Sequence, residues 1–252
     1  MTTHDELKRI AGREKVGLGI IEKDHAITAA LEVLSGSKSS EHLTFKGGTA
    51  IKKMFYPEAR FSEDLDFDCQ GDIARELAKE IEKPLTNNDE GVQFTGVKHE
   101  RSQADQGRRL SLQYNDSNGH PSSIKLDLAF LEKAVMTARK MEVKNLYGIS
   151  HINIMTMDIR EIMAEKARAL LYTPRPRHLY DIWFLVMKGV KTTKNLLDHK
   201  LKLYHDEFQI RALETAVKNL ARDWERDLRA LLPAVPKFEE VSSDVLDVFS
   251  RL

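Results

Sequence analysis

Apolar residues in the first 35 positions recur with a helical period. Ile20, Ile27, Leu31 and Leu34 follow one another at steps of seven, four and three residues, so they share one face of a helix. Glycines at positions 17 and 19 separate this helix from a shorter one before it. The chain is therefore predicted to begin with two helices.

Short β-rich runs replace this pattern between positions 42 and 130, and two helical segments interrupt them. The predicted strands are His42–Lys46, Asp64–Asp68, Val92–Glu100, Arg109–Asn115 and Ile124–Phe130, and the predicted helices are Thr49–Tyr56 and Asp72–Lys83. The middle of the chain is predicted to form a mixed α and β core.

From position 158 onwards the periodicity is helical only. The predicted helices are Asp158–Tyr172, Arg177–Met187, Thr193–Leu203, Phe208–Leu232 and Ser242–Leu252. The change in composition near position 157 predicts an α+β core with N-terminal helices over residues 1–157 and a helical C-terminal subdomain over residues 158–252.

Composition narrows the class of protein. Hydrophobic residues make up 41% and charged residues 31% of the chain, which excludes collagen-like and disordered proteins. No apolar run approaches the roughly 20 residues that cross a bilayer, and the start is too polar for a signal peptide, so we expect a cytoplasmic protein with no membrane partner. The single cysteine excludes an internal disulfide. Since 39 basic residues balance 39 acidic ones, a nucleic-acid partner requires a local basic patch.

Two glycines join a predicted strand to a helix. Gly47 and Gly48 lie between Lys46 and Thr49, where a backbone without side chains can approach a ligand and helical N–H groups can face an anion. We interpret this as a phosphate-binding turn. An ordinary turn is the alternative interpretation.

Acidic residues alternate with apolar ones in the strand that follows. Asp64, Asp66 and Asp68 share one face, and Leu65 and Phe67 take the other. Three carboxylates on one face repel one another unless a cation lies there, and oxygen-only ligands favour Mg²⁺ or Mn²⁺ over zinc. A solvated strand end is the alternative. The glycine of an EF-hand and the Gly-Lys-Ser/Thr of a P-loop are both missing.

A further acidic residue lies on the last predicted strand of the core. Asp127 faces away from Leu126 and Leu128. If this strand neighbours Asp64–Asp68 in the sheet, its carboxylate completes a two-metal cluster. An isolated exposed aspartate is the alternative.

Two helices after position 157 carry charged candidates. Lys166 lies on the apolar stripe of Asp158–Tyr172, where the ammonium either reaches water along its own stem or points into a cleft that holds phosphates. Arg177 and Asp181 are four residues apart on the next helix, a spacing also typical of surface ion pairs.

A local excess of positive charge lies in the same region. Ten Lys and Arg residues stand against four acidic residues between Ile159 and Lys202. Arg168, Arg175 and Arg177 cluster around a proline-rich turn, where an RNA phosphate backbone could bind. Solvated helix faces are the alternative interpretation.

Taken together, these residues resemble the AbiEii toxin family of nucleotidyltransferases, within the broad DNA polymerase β-like superfamily. Lys46–Ala50 with Arg60–Phe67 is similar to the family's Gly-Gly-Thr turn and Arg-x-Ser-x-Asp-Leu-Asp-Phe box. Ala164–Ala169 with Arg177–Asp181 is similar to its Ala-Glu-Lys helix and later acidic box, although His178 stands where the family commonly has an aspartate. The resemblance implies a nucleotidyltransferase-type mixed sheet with flanking helices.

The resemblance also implies roles for these residues. Asp64 and Asp66 would be metal ligands, Gly47 and Gly48 the phosphate turn, and Lys166 and Asp181 the remaining catalytic pair. With the candidates found above, the expected catalytic set is Asp64, Asp66, Asp127, Lys166 and Asp181, and the expected Mg²⁺ or Mn²⁺ ligands are Asp64, Asp66 and Asp127. The expected nucleotide-binding set is Lys46, Gly47, Gly48, Thr49, Arg60, Ser62 and Arg177.

The leading hypothesis is an enzyme that transfers a nucleoside monophosphate from a nucleoside triphosphate, with release of pyrophosphate, to a tRNA-like RNA. By resemblance it is the toxin of a toxin–antitoxin or abortive-infection system, with an antitoxin encoded nearby. One alternative is a nucleotidyltransferase acting on a small molecule or protein. The other is a nucleotide-binding module without turnover.

Overall fold

The computed structural model describes residues 2–100, 107–130, 135–149 and 151–252. The chain divides into two compact units, residues 1–134 with 138–157, and residues 135–137 with 158–252. Within the described ranges, none of the helices is long and apolar enough to span a membrane.

The first unit begins with two helices, and two more helices lie between the strands that follow. Its helices are α1 His4–Glu14, α2 Leu18–Gly36, α3 Gly47–Ala50 and α4 Ala74–Thr86. Its strands are β1 Leu43–Lys46, β2 Asp64–Cys69, β3 Gln93–Glu100, β4 Gly107–Asn115, β5 Pro121–Ala129, β6 Arg139–Glu142 and β7 Asn153–Thr156. All five predicted strands of the core are confirmed.

These strands form one mixed sheet, in the order β3-β4-β5-β2-β1-β7-β6. β2 pairs parallel to β5 and antiparallel to β1, so it lies in the middle of the sheet. β3, β4 and β5 form an antiparallel meander, and β6 and β7 extend the opposite edge. Strand β2 thus carries its acidic face between two neighbouring strands.

Aromatic and aliphatic side chains fill the face of the sheet opposite to the acidic one. Phe45 and Phe67 are register partners on β1 and β2, and their rings stack at 5.0 Å between centroids. Leu65 is fully buried, as is Leu126 opposite it on β5. This packing fixes the register, because a shift of one residue would turn the carboxylates of β2 into the core.

A π-helical turn continues α3 and fixes the chain before β2. The turn spans Ile51–Phe55, and both of its lysines are buried. The Lys52 ammonium donates to the carbonyl oxygens of Pro57 and Ala59, at 2.6 and 2.9 Å. The Lys53 ammonium lies 2.7 Å from the carboxylate of Asp24 on α2. These contacts hold the loop that leads into the acidic strand.

The second unit is helical in its described residues. It contains α5 Ile159–Tyr172, α6 Pro176–Met187, α7 Lys194–Leu201, α8 Ile210–Lys218, α9 Trp224–Leu228 and α10 Phe238–Phe249, with single 3₁₀ turns at Lys202–Tyr204 and Ala221–Asp223. The α+β class predicted from sequence is confirmed.

One prediction about the elements is wrong, and two strands lie where no element was predicted. The predicted helix Phe208–Leu232 is divided among α8, a 3₁₀ turn and α9. The pattern predicts one continuous helix because buried residues such as Leu213, Val217 and Trp224 keep a helical spacing across the breaks. Strands β6 and β7 were not expected. Each has only four residues, too few for a periodic pattern to be recognised, and β6 has no buried residue.

Candidate active site

The acidic residues of the first unit gather where β1, β2 and β5 lie side by side. Asp66 is the register partner of Lys46 on β1 and of Asp127 on β5. Asp64 lies two residues before Asp66 on the same face of β2. The condition under which Asp127 was expected to join the β2 carboxylates, a neighbouring strand in the sheet, is therefore met, and it is met by a parallel pairing between strands far apart in sequence.

Gly47 makes room for the carboxylate of Asp66. Its φ of +79° lies in the region that favours glycine. A Cβ at this position would stand 2.9 Å from the carboxyl carbon of Asp66, and closer still to one of its oxygens. The Gly47 backbone and the Asp66 carboxylate thus lie in direct contact, which joins the glycine turn to the acidic face.

The hydroxyl of Thr49 ties the same turn to β2. Its Oγ1 donates to the backbone carbonyl of Asp64 at 2.5 Å, and Thr49 is buried. The Lys46 ammonium lies 2.5 Å from Oδ1 of Asp68, and both residues are buried. Lys46 therefore compensates the deepest of the three β2 carboxylates.

The remaining predicted nucleotide contacts of this unit lie just before β2. Arg60 is only 4% exposed, and its Nη1 donates to the carbonyl of Phe61 at 3.0 Å. Ser62 is half-buried. The guanidinium of Arg60 is thus placed inside the unit and braces the loop.

Arg109 is a component of this site that the sequence reasoning missed. It is the register partner of Asp127 in the antiparallel pair β4·β5. Its Nε and Nη2 donate to the two oxygens of Asp127 at 2.5 and 2.8 Å, and this hydrogen bonding raises the pKa of Arg109 further above its usual range. The signal was present, since the turn around Asn118 sets the register that places position 109 opposite position 127.

The carboxylate oxygens of this site suit a hard divalent cation in their chemistry, but the described side chains are not arranged around one position for it. Carboxylate oxygens from neighbouring strands are the ligands that Mg²⁺ and Mn²⁺ prefer. Among the described residues, however, no group of three or more His, Cys, Asp or Glu side chains is placed to hold a metal ion. Both oxygens of Asp127 instead accept hydrogen bonds from Arg109.

In the second unit, Lys166 and Asp181 form a buried ion pair between α5 and α6. The ammonium lies 2.9 Å from Oδ2 of Asp181, and the two side chains are 11% and 3% exposed. The alternative in which the Lys166 ammonium reaches water is therefore wrong, because Asp181 holds its charge inside the unit. Arg177, one turn before Asp181, is half-buried.

The basic region predicted as an RNA contact is less accessible than its composition implies. Lys200 is 2% exposed and lies 2.6 Å from Glu161 and 2.9 Å from Glu165. Lys166 is likewise buried with an acidic partner. Arg168 donates from Nη1 to the hydroxyl of Tyr204 at 3.0 Å. Arg175 is exposed at the start of α6.

Comparison with known proteins identifies relatives of this arrangement. The sequence model of the family described as "Nucleotidyl transferase AbiEii toxin, Type IV TA system" matches residues 29–247. Among solved structures, the chain is similar to MenT4, a nucleotidyltransferase toxin from Mycobacterium tuberculosis, with a TM-score of 0.75 and 20% identity over 98% of this chain and 88% of that one.

A second solved structure is more distant. It is an antigenic nucleotidyltransferase-like protein from Paracoccidioides brasiliensis, with a TM-score of 0.41 and 16% identity over 83% of this chain and 94% of that one. No curated protein matches the chain in sequence. The match to MenT4 covers 98% of this chain, and the family match covers most of each of the two units.

Proposed function

The chain belongs to the AbiEii family of nucleotidyltransferase toxins of type IV toxin–antitoxin systems, and on that premise we propose that it transfers a nucleoside monophosphate to an RNA acceptor at the acidic face of β2. Family membership implies a nucleoside triphosphate as substrate and an antitoxin as its counterpart. The RNA acceptor, with a tRNA-like molecule as the leading case, and the dependence on a divalent metal are our proposals.

The position of the Asp66 carboxylate is the main support for the proposal. The carboxylate of Asp66 lies directly against the backbone of Gly47 and beside Asp127. A phosphate that approaches the glycine turn would therefore meet an acidic cluster, which is unfavourable unless a cation lies between them. Asp64 and Asp66 would hold Mg²⁺ or Mn²⁺, which when bound supplies positive charge at the reacting phosphate.

The residues of the chain itself would position the reactants. The glycine turn at Gly47 and Gly48 leaves room for the phosphates, and Thr49 keeps that turn fixed to β2 through the carbonyl of Asp64. Lys46 keeps Asp68 neutralised, so the strand face carries less excess negative charge. Arg60 and Ser62 lie at the start of the same strand, where we propose that they contact the triphosphate.

Asp127 and Arg109 would act together. While the guanidinium holds both oxygens of Asp127, that carboxylate is less basic and is restricted in position, so it is a poorer ligand and a poorer base for the proton of the attacking hydroxyl. We propose that the Arg109 fork exchanges Asp127 for a phosphate of the substrate, since a planar guanidinium binds either group in the same bidentate manner. Asp127 is then released to serve the reaction.

In the second unit, we propose that Lys166 contributes positive charge to the reaction and that Asp181 orients it. The 2.9 Å contact between these buried groups supports this order of roles, because a buried carboxylate restricts the ammonium to one position. Arg177 is proposed to contact the nucleotide.

Label transfer tests the proposal directly. Purified protein is incubated with each α-labelled nucleoside triphosphate, total cellular RNA and Mg²⁺ or Mn²⁺, and the label is followed on RNA, protein and small molecules separately. We expect label on RNA from one or two of the triphosphates, and none after chelation of the metal.

Asp64→Asn and Asp66→Asn are each expected to lower this transfer by on the order of 10³-fold, because each removes a charged ligand at nearly constant size. Asp89→Asn, at an exposed acidic position outside the site, is the matched control and should keep full activity. Label on protein or on a small molecule in place of RNA would exclude the RNA acceptor. Unchanged transfer by the Asp64→Asn, Asp66→Asn double variant would exclude the acidic face as the reaction centre.

A further inference from the structure

A cavity in the second unit is lined by none of the catalytic or nucleotide-binding residues proposed above. Its volume is about 590 Å³, large enough for a phosphate and part of the nucleotide that carries it. The segment from Lys191 to Lys202 forms most of its wall, and Val135, Met136 and Arg160 complete it. We call it the Thr192 pocket.

The pocket holds a buried hydroxyl without a partner. Thr192 is 7% exposed, and its Oγ1 has no hydrogen-bond partner within the described ranges of the chain. Buried hydroxyl groups in native proteins are almost always paired, since an unpaired one loses its hydrogen bonds to water on folding. Because the Oγ1 atom itself has almost no accessible surface, rotation of the Thr192 side chain would bring this hydroxyl to a polar ligand in the pocket.

The start of a helix lies next to this hydroxyl. α7 spans Lys194–Leu201, and Thr193 is its N-cap, with Oγ1 accepting the N–H of Leu196. The first N–H groups of a helix have no acceptor within the helix and carry partial positive charge. Asn195, in that first turn, lines the pocket. The combination of a free hydroxyl with helical N–H groups is suited to an anion.

Positive side chains surround the opening. Lys191 and Lys202 are exposed and line the pocket. Arg160 lines it too, but its Nε and Nη2 donate to the two carboxylate oxygens of Asp158, each at 2.8 Å, so its charge is already compensated. Two acidic residues line it as well, but the Asp198 carboxylate lies 2.6 Å from the Lys194 ammonium and accepts the N–H of Phe208 at 2.8 Å. Glu207 remains as an exposed acid on the rim. The balance of charge at the opening is positive.

The opposite wall is held by buried hydrogen bonds. The two oxygens of Glu161 accept the backbone N–H groups of Val135 and Met136, each at 2.8 Å. Glu161 is fully buried and also lies 2.6 Å from the ammonium of Lys200. This explains why a lysine in the basic region is buried: Lys200 neutralises the carboxylate that holds the wall. The pocket is therefore preformed.

We propose that the Thr192 pocket binds a backbone phosphate of the RNA acceptor. This inference rests on the proposed function, because it takes RNA as the acceptor. Hydroxyl, helical N–H and ammonium groups can all donate hydrogen bonds, and the oxygens of a phosphodiester accept them. The exposed lysines on the rim extend the positive surface beyond one phosphate, as a polyanion requires.

RNA binding by pocket variants tests the assignment. The equilibrium dissociation constant of a fluorescein-labelled RNA that the wild type labels is measured by anisotropy over a range of salt concentrations. We expect the Lys191→Gln, Lys202→Gln variant to bind at least about 10-fold more weakly at low salt. Its dependence of log K on log salt should be shallower by roughly 0.7 for each phosphate that the variant no longer neutralises. The Arg211→Gln, Lys218→Gln variant removes two exposed charges of the same unit outside the pocket and should bind as the wild type does.

The Thr192→Val variant distinguishes a role of the hydroxyl in RNA binding from a role in the stability of the fold. Valine keeps the shape and removes only the unpaired hydroxyl, so the thermal midpoint should stay the same or rise while RNA affinity falls. A lower midpoint with unchanged RNA affinity would show that the hydroxyl serves the fold, and would overturn the proposal.

The remaining outcomes separate the pocket from the proposed function. If the wild type labels RNA but all pocket variants bind RNA normally, the pocket assignment fails and the RNA acceptor stands. If the wild type neither binds nor labels RNA, both fail. Titration of inorganic phosphate, followed by ³¹P NMR, identifies a third case: binding that Thr192→Val abolishes, with RNA affinity unchanged, would assign the pocket to free phosphate and overturn its role for RNA.

Discussion

The guanidinium of Arg109 holds both carboxylate oxygens of Asp127, with Nε 2.5 Å from Oδ1 and Nη2 2.8 Å from Oδ2. The two side chains are 40% and 32% exposed, so water screens the pair and its contribution to stability is expected to be below about 1 kcal/mol. The consequence we propose for the contact lies in the site, where Arg109 holds the carboxylate of Asp127 beside the acidic face of β2.

Two single variants distinguish the role of the Asp127 carboxylate from the role of Arg109. Asp127→Asn should lower nucleotide transfer by about 10²-fold or more, with a small change in thermal midpoint, because it removes the ligand or base itself. Arg109→Gln breaks the same ion pair and leaves the carboxylate in place. At saturating metal and triphosphate, Arg109→Gln should keep more of its kcat than Asp127→Asn, because a saturating substrate offsets a weakened phosphate contact. Equal losses of kcat would contradict the separate roles proposed for the two residues.

Gly47→Ala is expected to lower both stability and activity. The methyl group would require a left-handed backbone, which costs about 1–2 kcal/mol, and it would also collide with the Asp66 carboxylate. Gly119→Ala is the matched control, because Gly119 has a φ of +83° and open space where a Cβ would stand. The excess loss of stability in Gly47→Ala over Gly119→Ala, measured by denaturant unfolding, is the cost of the collision. Equal losses, with transfer unaffected, would show that Asp66 moves aside without consequence.

The acidic face of β2 could be predicted from sequence because it depends on local alternation. Leu65 and Phe67 need the core, so Asp64 and Asp66 must take the other face whatever the topology is. The neighbour of β2 could not be predicted in the same way. Asp127 reaches Asp66 through a parallel pairing across about 60 positions, which no periodicity encodes.

Burial of charge was the other property that sequence patterns did not predict. Lys200 belongs by composition to a solvated basic region, yet it is 2% exposed. Its acidic partners Glu161 and Glu165 lie on a different helix, 35 or more positions earlier in the chain. Only the packing of α5 against α7 brings them together, and that packing is a tertiary property.

Lys166→Met should reduce stability as well as activity, because it leaves the buried Asp181 without the ammonium 2.9 Å away. Removal of one partner of a buried pair typically costs about 3–5 kcal/mol, whereas replacing both with apolar residues is often neutral. The Lys166→Met, Asp181→Leu double variant is therefore expected to recover most of the thermal midpoint while transfer stays lost. Recovery of transfer together with stability would assign a purely structural role to the pair.

His25 predicts how stability depends on pH. Burial, and next the nearby Lys53 ammonium, lower the pKa of His25 to about 4, although the Asp24 carboxylate opposes them. The ring is 2% exposed and packs at 4.6 Å between centroids against Tyr147. His25 is thus neutral in the folded protein at every pH above about 4.

Since the unfolded chain binds a proton at His25 below about pH 6.5, protonation favours unfolding. The His25 contribution is complete above that pH and is lost as the pH falls towards about 4, by roughly 2–4 kcal/mol in free energy of unfolding. Glutamine does not titrate, so His25→Gln should reduce the slope of stability between pH 6.5 and 4 relative to the wild type, whatever its cost at neutral pH. Urea unfolding at several pH values measures both slopes. Parallel profiles for the two proteins would show that His25 is protonated in the folded state and that its burial does not exclude the charge.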